Sequence, residues 1–138
     1  MPPNELKCLE TMSWLKKACE DIDSAKILYQ ADKLSQSHQV LFFCQQTVEK
    51  AMKAFLFWHS VKFRRSHDLS ELGLQCITID SSLVNKCDKV AYLSDYAWEF
   101  RYPGEDPEPT KDEAKAGIIK AEKFLNVIIA KLPKETQP

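Results

Sequence analysis

Arginine is scarce in this chain: three arginines stand against sixteen lysines in 138 residues, in two short segments, Arg64-Arg65 and Arg101. A guanidinium is a planar, permanently charged fork suited to gripping phosphate or carboxylate with two hydrogen bonds. Lys62 precedes the pair, His67 follows it and Phe63 lies alongside, making a compact positive stretch. Three uses are open to it: a solvated basic turn, a phosphate or nucleotide contact, or ion pairs with the acidic run of Glu105, Asp106 and Glu108. Arg101 closes an aromatic run, where it would complement a helix C-terminus or stack on Trp98 or Tyr102. The candidate ligand contacts are therefore Lys62, Arg64, Arg65, His67, Arg101 and Tyr102. Whether Arg101 reaches the Arg64 loop depends on how the chain turns between them.

Other chemistry is poorly provided for. His67 stands before Asp68 at a helix start, where a capping or orienting hydrogen bond is the plainest use. His59 falls on an apolar stripe and reads as a buried, satisfied histidine, and His38 has no acid or thiol close in sequence. There is no His-x-x-His, His-Glu-x-x-His or carboxylate cluster, so neither a metal site nor a cofactor is expected. Gly73, Gly104 and Gly117 are too far apart to form a phosphate-cradling loop. Five cysteines without a Cys-x-x-Cys pair argue against a zinc knuckle and against a full set of disulfides. Cys19, Cys44 and Cys87 read as small core hydrophobes.

The elements that must position these residues are helices. From His38 to Phe63 no Pro or Gly intervenes, and Leu41, Cys44, Val48, Met52 and Phe55 recur at helical steps. Before it, residues from about Thr11 to Ala31 carry Leu15, Ala18, Cys19, Ile22, Ala25 and Leu28 on one face, and the short link predicts antiparallel packing. Asp68 with Glu71 predicts a short third helix to about Gln75, with Ile77-Thr78-Ile79 as a linker. A fourth long helix is expected from Asp80–Ser82 to Pro103, with Leu83, Cys87, Val90, Ala91, Ser94 and Ala97 inward. Thr110 and Glu113 form a capping box by type and spacing for a last helix to about Lys131, in which Gly117 suggests close approach of a neighbour. The expected architecture is all-α, an up-and-down bundle of four long helices and one short one. It forms a single domain over 1–138, with an ordered core at about 11–132 and frayed termini.

Down the second helix runs another strip: Phe42, Gln46, Glu49, Lys50, Lys53 and Phe57. It reads either as a solvated face steadied by the Glu49–Lys53 pair or as an interface, for which a second copy of the chain is the simplest partner. Formal charge is −1, so nucleic-acid binding would need a local patch rather than the whole surface. The N-terminus lacks the plan of a signal peptide and no apolar run is long enough to span a bilayer, so a soluble, cytoplasmic protein without membrane contact is expected.

The run Phe42-Phe43-Cys44-Gln45-Gln46-Thr47-Val48-Glu49-Lys50-Ala51-Met52-Lys53-Ala54, then His67-Asp68-Leu69, then Arg101-Tyr102-Pro103, resembles the HEPN family, small helical domains often linked to nucleotides and RNA. Thr47 departs from the small Ala more usual there, a matter of local packing. The resemblance implies a helical bundle. The ribonuclease branch of that family carries an Arg followed four to six residues later by His, and this chain does not: Arg64 and Arg65 stand too close to His67, and no His follows Arg101. The expectation is a noncatalytic HEPN-type module, a homodimer binding a nucleotide, RNA or a nucleotide-bearing partner. The alternatives are an interaction subunit of a small nucleotidyltransferase, in a toxin–antitoxin-like pair, and a metal-independent ribonuclease.

Overall fold

The computed structural model of the chain describes residues 3–31, 36–98 and 107–138. Helix α1 spans Pro3–Gln30, α2 Ser37–Trp58, α3 Leu69–Ile79, α4 Val84–Val90 and α5 Lys111–Lys131, with 3-10 turns at Ser81–Leu83, Ala91–Tyr96 and Lys134–Thr136. No strand occurs among the described residues, and the all-α bundle read from periodicity is the fold. Arg101, Tyr102, Pro103, Glu105 and Asp106 lie outside the described residues, and so does the question of whether Arg101 meets the Arg64 loop.

Helix α2 is the central rod, with α1, α3 and α5 packed on it. Leu41, Cys44, Val48, Met52 and Phe55 are buried as their spacing requires, and Val40, Ala51, Ala54 and Leu56 are buried beside them, so α2 is covered on most sides. Each large apolar side chain so covered contributes about 1.5–3 kcal/mol. Helix α1 lies antiparallel to it with Leu15, Ala18, Ile22 and Ala25 inward. In α5, Thr110 Oγ1 accepts from the Glu113 amide at 3.1 Å and Glu113 returns the contact to the Thr110 amide, completing the predicted capping box. A Cβ on Gly117 would collide with Leu41 Cδ2 and stand 3.6 Å from Cys44 Sγ, so α5 approaches α2 where the glycine predicted it.

Four boundaries differ from the sequence reading. Helix α1 begins at Pro3, not Thr11; Leu6 and Leu9 face outward, 55% and 47% exposed, and break the inward stripe that marks a helix. Ile77-Thr78-Ile79 is helical, because Cys76 is buried below and Thr78 Oγ1 donates to the Leu74 carbonyl at 2.9 Å. The fourth long helix is instead the short α4 followed by 3-10 winding. That tighter three-residue turn carries the inward face through Val90 and Leu93, both buried, in place of Ala91 and Ser94. The tail after Leu132 is not frayed: Lys134–Thr136 turns back against α1 and buries Thr136. At the same end of α5, Asp80 accepts hydrogen bonds from Lys131 Nζ at 2.7 Å and from the Ser82 amide and hydroxyl at 3.0 and 2.6 Å. Those bonds hold its carboxyl at about 2 and fasten the α3–α4 corner to the end of α5.

Candidate functional site

The basic loop leaves α2 through a defined turn. Ser60 adopts a φ of 59°, its amide donates to the Phe57 carbonyl at 3.0 Å, and the Val61 amide donates to Leu56 at 2.9 Å. This is a Schellman ending, in which a left-handed residue, commonly glycine, reverses the chain. The chain then runs back along α2, fixed at three places. Phe63 meets the Trp14 ring edge-on at 5.7 Å. Gln75 of α3 clamps the backbone, accepting from the Arg64 amide at 3.2 Å and donating to the Lys62 carbonyl at 3.1 Å. His67 is tied to α2. With the backbone held, Lys62, Arg64 and Arg65 are left exposed, and neither guanidinium has an ion-pair partner among the described residues.

Beneath the loop lies a buried polar network. Glu49, 4% exposed, accepts at Oε1 from Gln45 Nε2 at 2.9 Å and from His67 Nδ1 at 3.0 Å, and at Oε2 from Lys53 Nζ at 2.9 Å. Gln45, fully buried, also donates to the His67 carbonyl at 3.2 Å and accepts from Gln46 Nε2 at 2.6 Å. Every polar atom of the Gln45 amide is thereby used, as burial demands. Burial pushes the Glu49 carboxyl up, but hydrogen bonds from Lys53, Gln45 and His67, with the Lys53 charge, outweigh it and leave the group below its ordinary value. Lys53 Nζ in turn sits over the Phe63 and Trp14 rings, 5.4 and 5.8 Å from their centroids. His67 is thus an imidazole held by a buried carboxylate, its ring 5.9 Å from that of Trp98.

Beside the loop opens a cleft of about 580 Å³, walled by Phe57, Val61 and Phe63, with Lys62 and Arg65 on one side and Lys7 and Glu10 of α1 on the other. Its volume falls in the range of roughly 300–1,000 Å³ usual for small-molecule sites. Lys7 also lies over the Trp58 ring at 4.8 Å.

Of the loop residues predicted as ligand contacts, Lys62 and Arg65 line this cleft and Arg64 and His67 do not, while the strip Phe42, Gln46, Glu49, Lys50, Lys53 and Phe57 is not one open face. Glu49 is buried, Lys50 pairs with Asp21 of α1, and Lys53 is covered by Trp14; Phe42, Gln46 and Phe57 are half-buried. His59 is exposed rather than buried, its ring 4.6 Å from that of Phe55. His38 is buried and donates from Nε2 to the Trp98 carbonyl at 2.9 Å, fixing the chain near His67. Thr47 is accommodated by donating its hydroxyl to the Phe43 carbonyl at 2.8 Å. Sequence reasoning missed Lys7, since α1 was expected to start after it, and Gln75, for which no local pattern exists. It also passed over Gln45, whose place on the inward side of α2 was the available signal. No helix among the described residues is long and apolar enough to cross a membrane.

Comparison with known proteins yields three matches. The HEPN domain family model matches residues 11–132. A protein of Methanocaldococcus jannaschii named "Putative toxin MJ1304" is 33% identical over 130 residues, with 83% of each chain covered. The crystal structure of ST0689, an archaeal HEPN homologue, superposes with a TM-score of 0.66 at 20% identity, covering 88% of this chain and 96% of that one.

Proposed function

The chain belongs to the HEPN domain family, and on that footing we propose that it is a noncatalytic binding module for a nucleotide or a nucleotide-bearing partner. The observation that carries the reading is Arg65, which with Lys62 lines a cleft sized for a small molecule, on a clamped backbone that also leaves the neighbouring Arg64 exposed. A phosphate would sit against the two guanidiniums and Lys62. Phe57 and Phe63 offer apolar walls to a base, Lys7 a cation from the opposite side, and Glu10 an acceptor for ribose hydroxyls or base amines. Because Gln75, Phe63 and His67 already hold the loop, little ordering remains to oppose binding. Arg101 and Tyr102 stand as further candidates by the family resemblance. Titrating ATP, GTP and a short RNA against the wild type and an Arg64→Ala/Arg65→Ala variant tests the reading. Affinity should drop at least tenfold in the variant; equal binding by both, or binding by neither, removes it.

The name of the Methanocaldococcus jannaschii relative favours a second reading, in which this chain is one half of a toxin–antitoxin-like pair. Its partner would be a small nucleotidyltransferase, with a second copy of the chain completing a homodimer through Phe42, Gln46 and Phe57. In light scattering the wild type should exceed the monomer mass and Phe42→Glu should not. A wild type that runs as a monomer ends the homodimer.

A further inference from the structure

A second basic surface lies away from the loop. Helices α4 and α5 flank a groove rimmed by Lys86 and Lys89 on one side and Lys120 and Lys123 on the other, over a floor of Val90, Phe124 and Val127. No acid lines it. None of Lys86, Lys89 and Lys123 has an ion-pair partner among the described residues, and Lys120 lies over the Tyr92 ring at 4.8 Å. Four cations facing each other across one groove are a strong local concentration in a chain of formal charge −1.

We propose that this groove docks an acidic amphipathic segment of a partner protein, one apolar side chain seated between the lysine stems against Val127, above the buried Val90 and Phe124, and Asp or Glu residues on either side meeting the lysines. Size and chemistry select that occupant. At about 170 Å³ the space is smaller than the roughly 300 Å³ at which small-molecule sites begin, yet it suits a single anchoring side chain of the kind that dominates protein interfaces. A nucleic-acid strand would want exposed aromatic faces for its bases. Here the one aromatic in the groove, Phe124, is 2% exposed, and Tyr92, 39% exposed, stands outside the lining with Lys120 Nζ over its ring. Lysine rather than arginine also suits carboxylates approaching from varied angles, since an ammonium imposes no fork geometry.

The test uses the full chain and fluorescein-labelled probes: an acidic helical peptide with one apolar face, a shuffled peptide of the same composition, a peptide with Lys in place of Glu, and a short single-stranded RNA. The amphipathic acidic peptide should bind the wild type at least tenfold more tightly than the shuffled peptide or the RNA. Lys86→Glu/Lys123→Glu should weaken it at least tenfold and gain affinity for the Lys-bearing peptide, while Arg64→Ala/Arg65→Ala leaves it unchanged. Both variants alter exposed residues, and unchanged thermal unfolding shows them folded. Equal binding of the shuffled peptide or the RNA would make the groove a general attractor of polyanions. An undiminished double variant, or no binding by the wild type, would remove the docking site.

Discussion

At the scale of single residues, Glu49 decides most. By type and spacing it is the acid of an exposed Glu49–Lys53 pair, a bond worth a few tenths of a kcal/mol. In the fold, 5% of its side chain is exposed and three donors converge on it. Removing one partner of a buried ionic cluster costs about 3–5 kcal/mol, so Glu49→Ala should lose about that much in urea unfolding, far beyond a surface substitution. Its carboxyl is lowered on folding, so the stability it supplies is complete above the ordinary value of 4.5 and is lost as pH falls through the depressed value. Glu49→Gln should therefore show a shallower decline in stability below pH 4.5 than the wild type. The sequence could not separate the two readings: an i,i+4 acid–base pair has the same spacing on a solvated face as under a covering helix. Only the docking of α1, with Trp14 and Asp21 turned inward, settles it.

At the scale of elements, local signals with their own chemistry were legible. The capping box at Thr110, the cap at Asp68 and the close approach at Gly117 appear where residue type demanded them. Gly117→Ala would gain about 1 kcal/mol in helix propensity, but its Cβ must displace the buried Leu41, and overpacking costs roughly 1–3 kcal/mol. A net loss is expected, with coupling between Gly117→Ala and Leu41→Val in a double-mutant cycle. Ser60 was not legible, because nothing in its neighbours specifies a left-handed turn. A non-glycine residue pays roughly 1–2 kcal/mol for that conformation, so Ser60→Gly should raise the free energy of unfolding, read from urea denaturation, by about 1 kcal/mol. The end of α4 was also hidden: the pattern Val90, Leu93, Tyr96 has a three-residue step, but a single 3-10 stretch is too short to stand out against helical spacing.

At the scale of the whole molecule, the loop that folds back along α2 places an oriented imidazole over the buried Glu49 carboxylate just before α3 and leaves two open guanidiniums on the stretch clamped by Gln75 farther along that helix. The Arg-to-His spacing of the ribonuclease branch is missing, and a labelled RNA incubated with wild type and with His67→Ala should remain uncut by both. Cleavage by the wild type that His67→Ala abolishes would make the chain a nuclease by a different constellation. The cleft was only half legible in the sequence. Lys62 and Arg65 share one segment, whereas Lys7 arrives from a part of α1 that carries no inward apolar stripe. The most direct measurement is an amide NMR titration of the 138-residue chain with ATP. The account predicts shifts confined to Lys62–His67, to Lys7 and to the Phe57 wall. Shifts at α4 and α5 instead, or none at saturating nucleotide, would contradict it.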